Sequence, residues 1–351
     1  MSLIDRLRSY DPHKPTWAIV DDFKLFFGRE ARQRAYALAL TRGIQSIGTT
    51  FLPNPVGPKA RSEIIKEQKE LYAWIHQFGG VYAMTEPLPT IGVMYVNEQA
   101  LLRRVIQDEK NADELFNGSH EGKTTEAMFL CHAAGFPAKI ITPDELKRGL
   151  PASMKAILLV GLHKTDGTWQ WYSEAEDALR RFAENGGRVI TDDESTCPFG
   201  ATATTMRLSA YVKNADIDHT PLLLSRNAEN ITKLREAMKD IAPLIATSTD
   251  PTLWAIPSAA GDVQYVTVVN YGFEEGKNGS EFGKPQTGKL AWNTDRPIYD
   301  VRLGQRVEPD KAVSVDLTKD GFQWYALPPP SPSPRPVPWW PAARMGSTAR
   351  R

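Results

Sequence analysis

Apolar and polar positions along the chain change period twice. Thr16 to Val20 is a short apolar run that ends in Asp21-Asp22, the pattern of a buried strand with carboxylates at its C-terminal end. Arg29 to Arg42 carries Ala31, Ala35, Leu38 and Ala39 at helical spacing, with Gly43 in the position of a C-terminal cap. Ile44 to Leu52 reads as a second strand, and Pro53, Pro55, Gly57 and Pro58 break the chain after it. A helix capped by Ser62 follows, with Ile64, Leu71, Ile75 and Phe78 on one face and Gly79-Gly80 as its predicted end. Strand, helix, strand, helix is the order of an α/β fold with parallel strands.

The alternation restarts at Thr90. Strands are predicted over Ile91 to Val96, Ala138 to Thr142, Lys155 to Leu162 and Arg188 to Thr191. Helices fall between them, over Glu121 to Ala134 and from the Ser173/Glu176 capping box to Gly186-Gly187. This predicts a doubly wound, flavodoxin-like sheet. A further helix over Ala228 to Ile241 leads to the second change of period. Val263 to Val269, Lys289 to Trp292, Ile298 to Val301, Ala312 to Leu317 and Phe322 to Leu327 are short, β-branched or aromatic, and separated by turn residues, which predicts a small antiparallel β-sandwich. Residues 328–351 hold eight prolines and then small residues, a composition that builds no core, so a disordered or polyproline tail is expected.

The predicted organisation is therefore residues 1–88 as two βα units, 89–245 as the doubly wound α/β domain, 246–327 as the β-sandwich and 328–351 as the tail. An eight-stranded α/β barrel takes about 250 residues. The first segment thus has room for only the last quarter of one.

Charge narrows the partners. With 42 Lys plus Arg against 42 Asp plus Glu, the chain has no general attraction for nucleic acid or anionic membrane, and neither is expected. Its apolar runs fall far short of the roughly 20 residues that cross a bilayer. Asp5, Arg6 and Arg8 interrupt any apolar leader in the first residues, so a cytoplasmic location is expected.

Candidate chemistry is sparse. Cys131 lies mid-helix, and Cys197 precedes Pro198 in a loop; neither has the glycine-flanked strand-to-helix turn of a nucleophile. The six histidines, at 13, 76, 120, 132, 163 and 219, show no metal-ligand spacing, and no metal or cofactor is expected. His120, in Gly-Ser-His-Glu-Gly, opens a helix at the C-terminal edge of the sheet, where open α/β folds bind ligands, and Thr124 and Thr125 follow as hydroxyls for a phosphate. Asp192-Asp193-Glu194 follows a strand, where carboxylates suit sugar hydroxyls or a cation. Trp169 and Trp171 offer stacking faces in a loop, whereas Trp292 and Trp324 fit the core of the β region. Asp21 and Asp22 stand where barrel enzymes place catalytic groups. Neighbouring strand residues point to opposite faces, so they cannot form a catalytic pair by themselves.

One resemblance connects these parts. Lys14 to Phe23, Arg34 to Ile44 and Gln45 to Phe51 resemble strands seven and eight of the (β/α)8 barrel in β-galactosidase-like glycoside hydrolases. Ile91 to Val96, Ala133 to Ile141, Lys155 to Val160 and Leu179 to Thr191 are similar to that family's trimerisation domain, a class I glutamine-amidotransferase-like layer without the amidotransferase nucleophile. The resemblance implies a C-terminal portion of such an enzyme, non-catalytic or truncated, with an assembly role as a homo-oligomer and a carbohydrate ligand. Asp22 or Asp21 would stand at the nucleophile position, one methylene shorter than the family's glutamate, and the acid/base glutamate has no counterpart. His120, Trp169, Trp171, Asp192 and Glu194 would border a sugar. Two alternatives remain: an active β-galactosidase completed by other sequence or another subunit, and an amidotransferase-like protein that binds a small ligand.

Overall fold

A computed structural model describes residues 2–11, 16–20, 36–44, 46–49, 58–98, 100, 120–162, 173–193, 195, 197, 199, 224–241, 245–271, 273–276, 279–282, 286–309, 312–315 and 322–330. Asp21, Asp22, Trp169, Trp171 and Glu194 lie outside the described residues, as do Gly118, Pro198 and the tail from residue 331.

The chain opens with a helix that the hydrophobic pattern does not show, α1 (Ser2–Tyr10). Its docking face is polar: Asp5, Arg8 and Ser9 are buried, while Leu7 is exposed. Strands β1 (Trp17–Val20) and β2 (Ser46–Thr49) pair in parallel, Trp17 opposite Ser46, with a helical segment at 36–40 between them. The next helix, α2 (Pro58–Ala83), corrects both predicted ends. Pro58 begins it instead of breaking the chain, because the first helical position needs no N–H donor. Gly79-Gly80 lies inside it, because burial of Phe78, Val81 and Tyr82 outweighs the roughly 1 kcal/mol that each glycine costs a helix.

After the short strand β3 (Glu86–Pro87) comes the α/β layer. It contains β4 (Ile91–Met94), α3 (His120–Ala133), β5 (Ala138–Ile141), α4 (Pro143–Arg148), β6 (Ala156–Leu159), α5 (Ser173–Glu184), β7 (Arg188–Thr191) and α6 (Ala228–Ala237). The four strands are parallel, in the order β5-β4-β6-β7. β4 and β6 are buried at every position, as expected of strands covered on both faces. α1 packs along the edge strand β5. There the Asp5 carboxylate accepts from the Ile140 amide and pairs with Arg42 at 3.5 Å, and the Ser9 hydroxyl accepts from the Thr142 amide.

The remaining strands are β8 (Ala246–Ser248), β9 (Leu253–Ala260), β10 (Val263–Asn270), β11 (Phe273–Gly276), β12 (Gly279–Phe282), β13 (Gln286–Trp292), β14 (Ile298–Asp300), β15 (Gln305–Val307), β16 (Ala312–Val315) and β17 (Phe322–Leu327). They form an antiparallel pair β11-β12, a three-stranded sheet β16-β13-β8, and a six-stranded sheet β15-β14-β17-β10-β9-β3. β9 is an element that the sequence pattern misses, because Pro257 in its middle argues against a strand. The proline is accommodated because its missing N–H faces a two-residue neighbour, β3, while its carbonyl accepts from the Leu88 amide.

The inner strands β9, β10 and β17 of the six-stranded sheet are covered on both faces. Leu253, Val266, Val268, Tyr325 and Leu327 point toward Ala246 and Leu290 of the three-stranded sheet. Trp254, Ile256, Tyr265, Val269 and Trp324 belong to a cluster that also holds Leu40, Tyr82, Ile91 and Leu130. Trp324 stacks on Tyr82 of α2 at 4.2 Å, and Trp254 stacks on His132 of α3 at 4.7 Å. One core thus joins helices from two segments to the C-terminal sheet. The sheet itself includes residues 86–87, from the end of the first predicted segment.

Candidate functional site

The C-terminal edge of the parallel sheet gathers the chemistry-bearing residues of the α/β layer. β4 and β6 run side by side but lead to connections on opposite sides, which makes their junction the crevice where open α/β sheets bind ligands. His120, the first residue of α3, occupies that junction and is fully buried. Its Nε2 accepts from the Val96 amide at 2.8 Å, just past β4. An imidazole whose Nε2 accepts carries its proton on Nδ1, so Nδ1 donates to the Val160 carbonyl at 2.7 Å, just past β6. Tyr95 stacks on the ring at 5.2 Å. Both ring nitrogens are therefore engaged by backbone, and the ring bridges the two strand ends across the crevice.

Asp192, following β7, forms the second half of the cluster and is also fully buried. Its carboxylate accepts from the Gly161 amide at 2.9 Å and the Ser195 amide at 2.8 Å, and lies 3.6 Å from the ammonium of buried Lys123. The Ser195 hydroxyl in turn accepts from the Leu162 amide. Gly161 adopts a left-handed φ of 59°, and a Cβ there would lie 3.0 Å from the Lys123 chain and 3.4 Å from the His120 backbone. The left-handed φ favours glycine just past β6, and a side chain there would crowd the Lys123 chain.

The sequence-predicted acidic run therefore divides. Asp192 turns inward as a hydrogen-bond acceptor, and Asp193 is exposed. Thr124 donates to the His120 carbonyl at 2.5 Å, which commits its hydroxyl to the helix backbone. Lys123 and Gly161 complete the cluster, and sequence reasoning did not single them out. The available signal was the spacing His120-x-x-Lys123, which puts both side chains on one face of α3. Glu126, one turn further along α3, has its carboxyl pKa raised by burial, partly offset by a hydrogen bond from Asn227. Cys131 is buried in α3, and burial pushes its thiol pKa up, which leaves little thiolate for nucleophilic attack. Cys197 is likewise raised by burial. Among the described residues no group of three or more His, Cys, Asp or Glu is placed to hold a metal ion, and no helix is long and apolar enough to cross a membrane. Chemically, the cluster fastens the C-terminal ends of three strands to one helix.

No protein-family model matches this chain, and no curated protein matches it by sequence. Solved structures do match by shape. The β-galactosidase from Bacillus circulans sp. alkalophilus superposes with a TM-score of 0.60 at 10% identity, over 92% of this chain and 57% of that one. The likeness is one of fold. An α-L-fucosidase isoenzyme 2 from Paenibacillus thiaminolyticus gives 0.56 at 11% identity, over 88% of this chain and 60% of its own. The β-galactosidase from Rahnella sp. R3 gives 0.54 at 11% identity, over 93% and 56%. This mixed α/β chain, with one parallel sheet and several antiparallel ones, thus has the fold of part of a glycoside hydrolase and spans less than two thirds of the length of these structures.

Proposed function

We propose that this chain is a C-terminal portion of a β-galactosidase-like glycoside hydrolase, non-catalytic or truncated, in which the parallel layer serves assembly. The observation that carries the reading is the order of parts: a parallel β1–β2 pair, a parallel layer in the order β5-β4-β6-β7, then antiparallel sheets, matched over 92% of this chain within 57% of a β-galactosidase. The second-first-third-fourth strand order supports a flavodoxin-like, amidotransferase-like layer. His120 across its crevice supports a fastening role for that layer over a ligand-binding one. Carbohydrate contact would then fall to Trp169 and Trp171, and assembly would proceed as a homo-oligomer.

The test is hydrolysis of an aryl-β-galactoside by the purified chain, beside Asp22→Ala and the exposed control Glu308→Ala. No turnover above the buffer rate is expected from any of the three. Turnover in the chain and in Glu308→Ala that is lost in Asp22→Ala would overturn the non-catalytic reading.

A second reading, an active glycosidase whose barrel is completed by other sequence or another subunit, is favoured by one observation. β1 and β2 form a two-stranded parallel sheet, and no third strand joins them among the described residues. An open reading frame upstream of Met1, encoding further βα units with a glutamate after the fourth strand, would support it. An unrelated upstream gene would count against it.

A further inference from the structure

A cleft of about 530 Å³ opens at the other end of the α/β layer, between the loop after α4 and the last turns of α5. The volume lies within the range of small-molecule sites. Its floor carries apolar side chains beneath a polar rim: Leu146 and Met154, buried with Ile141, Ile157 and Leu179 in the core under the parallel sheet, and Phe182, which packs on them half-buried. Its charged lining residues are Lys147, Lys155 and Arg181, all exposed, and no carboxylate lines it. Two glycines at the mouth, Gly149 and Gly186, take positive φ of 111° and 88° and face open space. A third, Gly187, lets the chain approach the floor: a Cβ there would lie 2.3 Å from the Phe182 ring.

Charge decides what such a cleft would hold. The C-terminal ends of α4 and α5 face it, and each adds a partial negative charge, the shorter α4 the smaller one. Asp144 lies 3.1 Å from Lys147 and offsets that cation. Lys155 and Arg181 remain as two full positive charges over an apolar floor. Among the described residues the Lys155 ammonium donates to the Ala152 carbonyl alone, and Arg181 forms no ion pair. The geometry points to a binding site for a small amphipathic organic anion, its apolar body on Leu146, Met154 and Phe182 and its carboxylate or sulfonate between Lys155 and Arg181. This site is separate from the His120 cluster and independent of the glycosidase-like reading.

The probe is 8-anilinonaphthalene-1-sulfonate, an aromatic body with one fixed negative charge. It is titrated into the full chain by fluorescence and calorimetry, beside its uncharged relative N-phenyl-1-naphthylamine. One saturable anion site per chain is expected. The Lys155→Gln/Arg181→Gln double variant should weaken it about tenfold or more through the loss of charge-assisted hydrogen bonds, while the neutral amine changes less than about twofold. Ala152→Trp, an exposed position at the mouth, should block both probes. With the unsubstituted chain, raising salt should weaken the anion and leave the amine unchanged, a readout that needs no variant to fold. Absent or non-saturable binding, anion affinity unaffected by the double variant or by Ala152→Trp, or salt-independent anion binding would each overturn the assignment.

Discussion

Three segments meet at His132. Arg42, from the chain before α2, places Nη2 3.4 Å from its Nε2, and Trp254 of β9 stacks on its ring. Burial first, and then the Arg42 charge, holds the imidazole pKa well below the usual histidine range. An unfolded histidine titrates near 6.5, so below that pH the unfolded chain takes up a proton that the folded chain refuses. The stability tied to neutral His132 is therefore complete above about pH 6.5 and declines as pH falls toward the folded-state value, by at most about 1.4 kcal/mol per pH unit. Urea unfolding between pH 7.5 and 5 should show this decline in the native chain and a shallower one in His132→Gln; equal slopes would dismiss the coupling. The same saturation by neighbours is what sequence could not reveal at the candidate site. That His120 and Asp192 stand at the C-terminal edge of a parallel sheet was legible from strand and helix order. That each is committed to backbone amides or carbonyls depends on how Val96, Val160, Gly161 and Ser195 meet in space.

At the scale of elements, the sequence was legible wherever burial follows a simple period. β10 and β17 are near-continuous apolar and aromatic runs whose side chains go by turns to the two core clusters, and their predicted bounds lie within a residue of those observed. It was not legible where packing overrides local preference. α1 buries Asp5 and Ser9 against hydrogen-bond partners on β5 and α4, and Arg8 against the Gly43 carbonyl, so a search for apolar periodicity finds nothing. α2 runs through Gly79-Gly80 because Tyr82 beyond them stacks on Trp324. This yields a graded prediction. A Cβ at position 80 meets nothing within 4 Å, so Gly80→Ala should stabilise the chain by about 0.5–1 kcal/mol. At position 79 it would lie 3.2 Å from Ile75, so Gly79→Ala should gain less. At position 187 it would lie 2.3 Å from Phe182, so Gly187→Ala should destabilise. Urea midpoints in any other order would contradict the packing described.

At the scale of the molecule, the parts recognised along the sequence share an interior. Trp324 is wholly buried between Phe78 and Tyr82 of α2 and Tyr265 of β10, so helix and sheet cannot lose their packing separately at that point. Trp324→Ala should cost about 3–5 kcal/mol, and far-UV and near-UV circular dichroism should lose their signals at one urea concentration in both proteins. Two separated transitions in the native chain would mean that the shared core does not couple its parts. The β1–β2 sheet is the exception to this closure. A two-stranded sheet is marginal in water, and among the described residues no strand covers its outer edges, where backbone N–H and C=O groups would pair with an extended chain. With a formal net charge of zero there is little long-range repulsion to keep copies apart. Light scattering across a dilution series should therefore find an oligomer that dissociates only at low concentration. A monomer of 39.1 kDa that is unchanged on concentration would show that these edges are covered within the chain, and would count against both the assembly role and the missing-barrel reading.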